Sequence, residues 1–513
     1  MPMKTNSTAA IVKKKGNKTT DSKGRTDNHW LTQPALPAWS SWRVAIAICS
    51  AAFLIRLLSL GLYPLQDTSE ARYAEMARLM VATNDWITPW FKVGVPFWGK
   101  PPLFIWLSAL SFKLFGLNEF AARLPILLVS LGVVGFSVRL ALFQMERHAA
   151  ALVLIILPTT LTFLVLSGTV MPDPVMLFSI TMILCGFWIG WHSQDARQAR
   201  RWQFLFFIGC ALALLAKGLA PLVLAGLPIF IWCLKARRLI TLWQRFPWIK
   251  GLLLTLLIAA PWYIAAELKT PGFLRYFIIG EHFDRYLESS WHGDKYGFAH
   301  NEPIGTIWVY WLLGALPWSC VLVNQGILWV KTCWRNKRIT LSDWQHFLLL
   351  WFLCPLFFFS FARNIIWTYT LPTVPAMAFA LAERGQHRWH HLPRWLTACS
   401  ALIPLLVIGV MPYLMTSDQI KSQKILLNYV HQQSVSYSGI LYLHGTPFSG
   451  HFYSRGSAKD LSGSEELTRL INAPNARYYL ATENDDFDHL PDALRQRFTR
   501  VAHHRDWTLY LQK

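Results

Sequence analysis

The sequence predicts a mainly α, polytopic membrane protein of about eleven to thirteen transmembrane helices, followed by a small α/β extracytoplasmic domain at the C-terminal end. Three observations carry this. The chain is 53% hydrophobic and only 15% charged, whereas soluble domains carry about 25% charged residues. Apolar runs such as 151–166, 251–266 and 400–415 approach bilayer-spanning length, roughly 17–25 residues with their flanks. After residue 414 the runs stop, and short β-type segments alternate with turn residues.

Residues 1–41 are polar and hold three consecutive lysines at 13–15. They are expected to form a disordered, basic cytoplasmic tail. No apolar core of a signal peptide begins near Met1, so the first span, 43–63, is expected to serve as an uncleaved anchor. Basic clusters at 139–148, 197–201, 235–250, 331–338 and 384–394 order the remaining loops. Placing all five inside gives spans near 120–144, 148–166, 171–191, 203–217, 219–235, 247–267, 304–331, 344–362, 366–383 and 394–414. The transmembrane domain is thus 42–414, with external loops at 64–119 and 268–303. The apolar segment 101–116 is left over, because one further crossing would invert every later loop. It is expected to lie in the outer interface or to re-enter, with Lys113 near headgroups, unless a short extra hairpin restores parity.

In the soluble domain, 415–513, the segments 439–445, 476–482 and 500–513 read as strands, the last as a hairpin. Residues 464–472 read as a helix opened by a capping box, and 492–498 as another.

A net charge of +21 follows from basic inner loops, or from attraction to anionic lipid or substrate. The basic residues are dispersed among spans and form no reading motif, which argues against nucleic acid as a partner. The eight cysteines all lie in or beside apolar runs without metal-ligand spacing and read as small packing residues.

The chemistry concentrates in 63–102. This stretch places Asp67, Glu70, Arg72, Glu75, Arg78, Asp85 and Lys100 between two very apolar segments. Charged groups near hydrocarbon mark a functional site by default. Arg72 and Lys100 suit an anion such as a phosphate, and Asp67 or Glu70 can take a proton. Asp67 and Glu70 are three apart, so a helix or turn brings them to one side, on an amphipathic helix at the outer surface. The same residues would also suit a solvated interfacial helix held by ion pairs. The predicted topology places Asp173, Lys217, the loop 268–303 and the turn 361–369 on that outer side too. A transporter more often keeps its ionisable residues at the midplane.

The order DTSEARYAEMARLM, NDWITP, PFWGKPPLFIWL, MPDPVMLF, AKGLAPLVLAGLP, EHFDRYL, GALPW and TYTLPTVPAMAFALA resembles the phospholipid-carrier-dependent glycosyltransferases of the GT-C type. These are membrane enzymes similar to protein O-mannosyltransferases and to the lipid A aminoarabinose transferase. The resemblance covers about residues 45–385. It implies a carboxylate acting at the acceptor, Asp67 by preference over Glu70. It implies donor-phosphate binding at Lys100, with Arg72 and Tyr73 lining the same pocket, and a second external carboxylate at Asp173. The chain departs from the aminoarabinose pattern at three places. Ser69 stands where an Asp precedes the Glu. Phe97-Trp98-Gly99-Lys100 lacks a Tyr and a Glu. Near the TYTLP turn a Lys is missing, with Arg363 and Asn364 nearest. These departures imply a different sugar or acceptor.

Further candidates lie outside those motifs. Lys217 ends an apolar run, where snorkelling competes with phosphate binding. Arg285 and His292 in the outer loop suit substrate phosphate or acceptor, and Tyr369 the acceptor side. His282, His292 and His300 with Glu281, Asp284, Asp294 and Glu302 allow a divalent metal, but the spacing matches no compact ligand motif, and no cofactor is required. The expected activity is inverting transfer of a sugar from a polyprenyl (undecaprenyl) phosphate donor to a periplasmic acceptor, in a bacterial inner membrane. Lipid A, lipopolysaccharide core or another envelope glycan is the leading acceptor. A protein hydroxyl acceptor is the first alternative, and a lipid or sugar transporter without chemistry is the second.

Overall fold

The computed structural model describes residues 38–284, 293, 295–297, 300–335, 341–388, 392–417, 419–433, 437–474 and 477–513. Most of the basic tail, together with Arg285, His292 and Asp294, lies outside the described residues.

The transmembrane part is helical. In chain order come α1 (Ala38–Ser59), α2 (Ser69–Thr83), α3 (Leu103–Phe115), α4 (Glu119–Gln144), α5 (Arg147–Ile156), α6 (Leu161–Leu166), α7 (Pro172–His192), α8 (Ala196–Lys217), α9 (Leu219–Lys235), α10 (Leu239–Arg245) and α11 (Trp248–Lys269). Thr306–Gly314, Trp318–Arg335, Asp343–Ser360, Val374–Arg388 and Arg394–Thr416 follow. Among the described residues six helices are long and apolar enough to cross a membrane. Two bent pairs raise this to eight. That is fewer than the charge alternation led us to expect, because several apolar runs fold as short or broken helices.

The breaks have local causes. The expected span 148–166 divides into α5 and α6 around Pro158, which offers no N–H to the helical ladder. There Thr159 and Thr160 turn their hydroxyls back onto the carbonyls of Ile155 and Ile156, at 2.6 and 2.8 Å. The expected span 304–331 bends by 113° between Thr306–Gly314 and Trp318–Leu328, across Pro317. The carbonyls freed at that bend do not go unpaired. Leu316 O accepts from Leu161 N at 2.9 Å, and Gly314 O accepts from the Thr162 hydroxyl at 2.8 Å. Broken backbone at membrane depth requires such partners.

The core is centred on α7, which is buried on nearly every face and packs on α8 and α4. Gly186 brings α7 against α8: a side chain there would meet Phe206 N at 2.8 Å and Trp202 O at 2.9 Å. Small residues at such crossings let helix backbones approach.

Outside this bundle α2 forms a second layer. It is not a surface helix with one wet face. Glu70, Tyr73, Glu75, Met76 and Met80 are all buried, because α3 covers one side and Phe448–Tyr453 of the C-terminal domain covers another. Glu75 is held by Arg78 at 2.6 and 2.7 Å, while burial holds its carboxyl above the ordinary range. The segment 101–116 forms α3, only thirteen residues long, with Lys113 over the Trp86 ring at 4.8 Å.

The C-terminal domain is a five-stranded mixed sheet in the order β4-β3-β5-β7-β6. Its strands are β3 (Gly439–Leu443), β4 (Ala458–Leu461), β5 (Tyr478–Glu483), β6 (Phe498–His504) and β7 (Trp507–Gln512). β1 (Trp90–Lys92) and β2 (Val95–Pro96) form a separate hairpin between α2 and α3. The parallel strand β4 and the helices Lys424–Gln432 and Phe448–Tyr453 were not foreseen. The helix Ser464–Ile471 is present, but Gly463 occupies its N-cap without a side-chain cap bond. Glu466 reaches back to Ser462 N at 2.9 Å instead.

Candidate active site

Two cavities open beside the segment 364–369. The first, of about 100 Å³, is lined by Lys100, Lys217, Glu281, His282, Asn364 and Tyr369 with an apolar floor that includes Phe277 and Phe359. The second, of about 580 Å³, is lined by Asp67, Glu70, Arg56, His300 and Trp367, and on one side by Leu406, Val410 and Leu414 of Arg394–Thr416. Asn364 joins them. It lines the first cavity, and its Oδ1 accepts from the backbone N–H of His300 in the second at 3.1 Å.

The first cavity holds two lysines, each paired with a carboxylate. Lys100 follows the β2 hairpin, and its Nζ donates to Glu281 at 2.9 Å and to Gly99 O at 2.7 Å. Lys217 ends α8 where Gly218 turns the chain with φ +77°. Its Nζ donates to Asp173 at 2.8 Å and lies 4.3 Å from the centre of the Tyr369 ring. Asp173 sits in the first turn of α7 and is buried behind Lys217. It is not among the residues that line the cavity. His282 uses both ring nitrogens. Nδ1 lies 2.7 Å from Phe277 O, and Nε2 accepts from Leu219 N at 3.0 Å. This pairing fits the neutral ring, and burial holds the imidazole below its ordinary range. With both nitrogens occupied, His282 is not poised as a metal ligand. Among the described residues no group of three or more His, Cys, Asp or Glu is arranged to hold a metal ion.

In the second cavity the two candidate carboxylates separate sharply. Glu70 is a structural clamp. Its oxygens take Arg123 Nε and Nη2 at 2.7 and 2.8 Å, together with the backbone N–H groups of Gln66 and Val170, both at 3.3 Å. Arg123 spends its other N–H groups on the carbonyls of Leu60, Tyr63 and Pro64, just after α1. Asp67 has no cation in direct contact among the described residues. Its carboxylate accepts from the backbone N–H and the hydroxyl of Ser449, and burial pushes its pKa up to about 6. A carboxyl that titrates near neutrality and borders a cavity is a suitable proton acceptor.

Arg72 and Tyr73 were expected beside Lys100, but among the described residues they line neither cavity. Arg72 Nη1 donates to Tyr296 O at 2.7 Å and its guanidinium covers the Tyr73 ring at 5.0 Å, while Tyr73 packs on Phe97 and Phe104. Sequence reasoning missed Arg123, Arg56 as a cavity wall, Ser449 and the hub at Glu119. Arg123 lay inside an apolar run and was an available signal. Ser449 gave none.

Comparison with known proteins now adds to this geometry. Residues 40–277 match the family model for dolichyl-phosphate-mannose-protein mannosyltransferase. The undecaprenyl phosphate-alpha-4-amino-4-deoxy-L-arabinose arabinosyl transferase of Aeromonas hydrophila is 30% identical over 371 residues, 70% of this chain and 64% of the relative. That of Aeromonas salmonicida is 31% identical over 370 residues, again 70% and 64%. The match thus spans under two thirds of these relatives' own length. ArnT from Cupriavidus metallidurans bound to undecaprenyl phosphate superposes with a TM-score of 0.74 at 19% identity, covering 91% of this chain and 97% of that one. Its apo form gives 0.73 at 20% identity, covering 92% and 98%. At that identity the likeness is one of fold.

Proposed function

We propose that this chain, a multi-pass membrane protein and a relative of the polyprenyl-phosphate-sugar glycosyltransferases of the GT-C type, moves a sugar from an undecaprenyl-phosphate donor to an envelope acceptor at the periplasmic face. The observation that carries the reading is the pairing of the two cavities across 364–369. A cavity lined by two lysines suits the donor phosphate, and its neighbour holds a carboxylate suited to the acceptor.

Lys100 and Lys217 hold the phosphate and neutralise the charge that builds on it as the bond from the anomeric carbon to the phosphate oxygen breaks. Glu281 must release Lys100 when the phosphate enters, and Asp173 keeps Lys217 oriented. The acceptor hydroxyl attacks the anomeric carbon from the face opposite the phosphate and gives its proton to Asp67. The products are the glycosylated acceptor, with inverted anomeric configuration, and the polyprenyl phosphate. Retained configuration would exclude this single displacement.

An amphiphilic acceptor fits best, because Leu406, Val410 and Leu414 line the Asp67 cavity and are themselves exposed or partly exposed on a membrane-spanning helix. A lipid A-type glycolipid is such an acceptor. The match to a protein mannosyltransferase model keeps a protein hydroxyl as the second reading. Mass spectrometry of envelope glycolipids and glycoproteins tests both, using cells with the wild type, a deletion or Asp67→Asn at matched expression. A sugar-sized mass lost in both mutants supports the reading and names the acceptor. No loss in the deletion overturns it.

A further inference from the structure

The C-terminal domain does more than cover the outer face. It reaches back to the segment that bears Asp67 and holds it at several points. Leu65 N donates to Tyr453 Oη at 2.7 Å, and Asp67 N donates to Lys421 O at 2.8 Å. Tyr453 passes its own proton donor to Glu119 at 2.9 Å, and Lys424 pairs with the same carboxylate. Lys92 and Asp460 close the far edge at 3.2 Å.

The decisive contact is at the carboxylate. Ser449 is fully buried, donates its backbone N–H to Asp67 Oδ1 at 3.0 Å, and places its hydroxyl on Oδ2. The direction of that hydroxyl is set. Its oxygen already accepts from Gln423 N at 2.9 Å, so its hydrogen is left to point at Asp67. Gln423 is in turn held by the Tyr442 hydroxyl at 3.3 Å. A two-point grip on one carboxylate fixes its rotation as well as its position.

We infer that Ser449 is a positioning residue for Asp67, so that the proton acceptor of the site is assembled from the two ends of the chain and the C-terminal domain is an integral part of it. This rests on the reading of Asp67 as the acceptor's base. It gives the domain a role distinct from presenting acceptor. Without the grip the carboxylate loses both of these donors and the constraint on its rotation. The other ionisable groups around Asp67 are Lys421 and Tyr442 from the C-terminal domain, Glu70 with Arg123, Arg56 and His300. None of them donates a hydrogen bond to its carboxylate among the described residues.

The test needs no substrate. The infrared band of the protonated Asp67 carboxyl is followed against pH in the full-length purified protein, with Asp67→Asn subtracted. The wild-type midpoint is expected near 6. Ser449→Ala removes a hydrogen bond that favours the charged form and is expected to raise the midpoint by about one unit, and Ser449→Thr to restore it. If Ser449→Ala does not accumulate folded, Ser449→Cys, a weaker donor of similar size, is expected to give a smaller upward shift. A midpoint unmoved in the folded variant overturns the inference. The cellular assay separates the two claims. Transfer that persists in Asp67→Asn removes the base assignment, whereas transfer lost there with an unmoved midpoint in Ser449→Ala removes only the positioning role.

Discussion

Glu70 and Arg123 form a two-point ion pair at 2.7 and 2.8 Å, with the guanidinium fully buried and lying 3.7 Å from the centre of the Tyr63 ring. This pair locks the loop after α1 to the start of α4 and to Val170. It also explains why two carboxylates three residues apart differ in character. One is paired with a buried cation, and the other is held by the backbone N–H and hydroxyl of Ser449.

Glu70→Ala leaves the Arg123 guanidinium buried without its counter-ion. Breaking such a pair costs about 3–5 kcal/mol. A large fall in melting temperature of the detergent-purified protein is expected, with poor accumulation in membranes. A wild-type melting curve would contradict the structural role.

Asp67→Asn is expected to behave in the opposite way. The amide keeps an oxygen for Ser449 N, so the protein folds, but transfer falls about 10²-fold or more with the loss of the base. Quantifying the glycosylated acceptor at matched protein level checks this.

The raised pKa of Asp67 also sets a pH dependence. Its folded value of about 6 lies above the ordinary carboxyl value of 3.8. The contribution to stability is therefore fully present below the lower value and is lost as pH rises through the upper one. The melting temperature of the wild type is expected to decline between about pH 4 and pH 6 relative to Asp67→Asn, and to level off above that. Transfer runs the other way, rising through about pH 6 as the carboxylate forms.

Lys100→Ala is expected to weaken binding of undecaprenyl phosphate roughly 10- to 100-fold, the worth of one charge-assisted hydrogen bond. Glu281→Gln is expected to strengthen it, because the carboxylate that occupies Lys100 at 2.9 Å becomes a weaker competitor. Titration with the lipid in nanodiscs reads both, and two changes of the same sign would refute the competition.

Gly218→Ala tests the turn that presents Lys217. The backbone there is left-handed, and a Cβ would sit 2.6 Å from Phe277 and 2.7 Å from His282 Nε2. Displacing His282 from Leu219 N should lower the melting temperature and the affinity for undecaprenyl phosphate together.

The sequence alone determined that this is a helical membrane protein with polar chemistry gathered near 63–102, at Asp173, at Lys217 and around 361–369. Hydropathy is a property of consecutive residues, and charged groups stand out against an apolar background. Strands β3, β5, β6 and β7 were legible for the same reason, since alternation and turn residues are local signals. Only tertiary structure decided how many apolar runs cross as single long helices, because the backbone groups freed at a proline break find partners far along the chain, as Leu316 O does in Leu161 N. It also decided which of the two carboxylates is held in an ion pair and which by Ser449. Glu70 and Asp67 look equivalent in sequence, and their difference lies in Arg123, 53 residues away from Glu70, and in Ser449, 382 residues away from Asp67. A group's charge state and freedom follow from what surrounds it in space, and no local pattern carries that information.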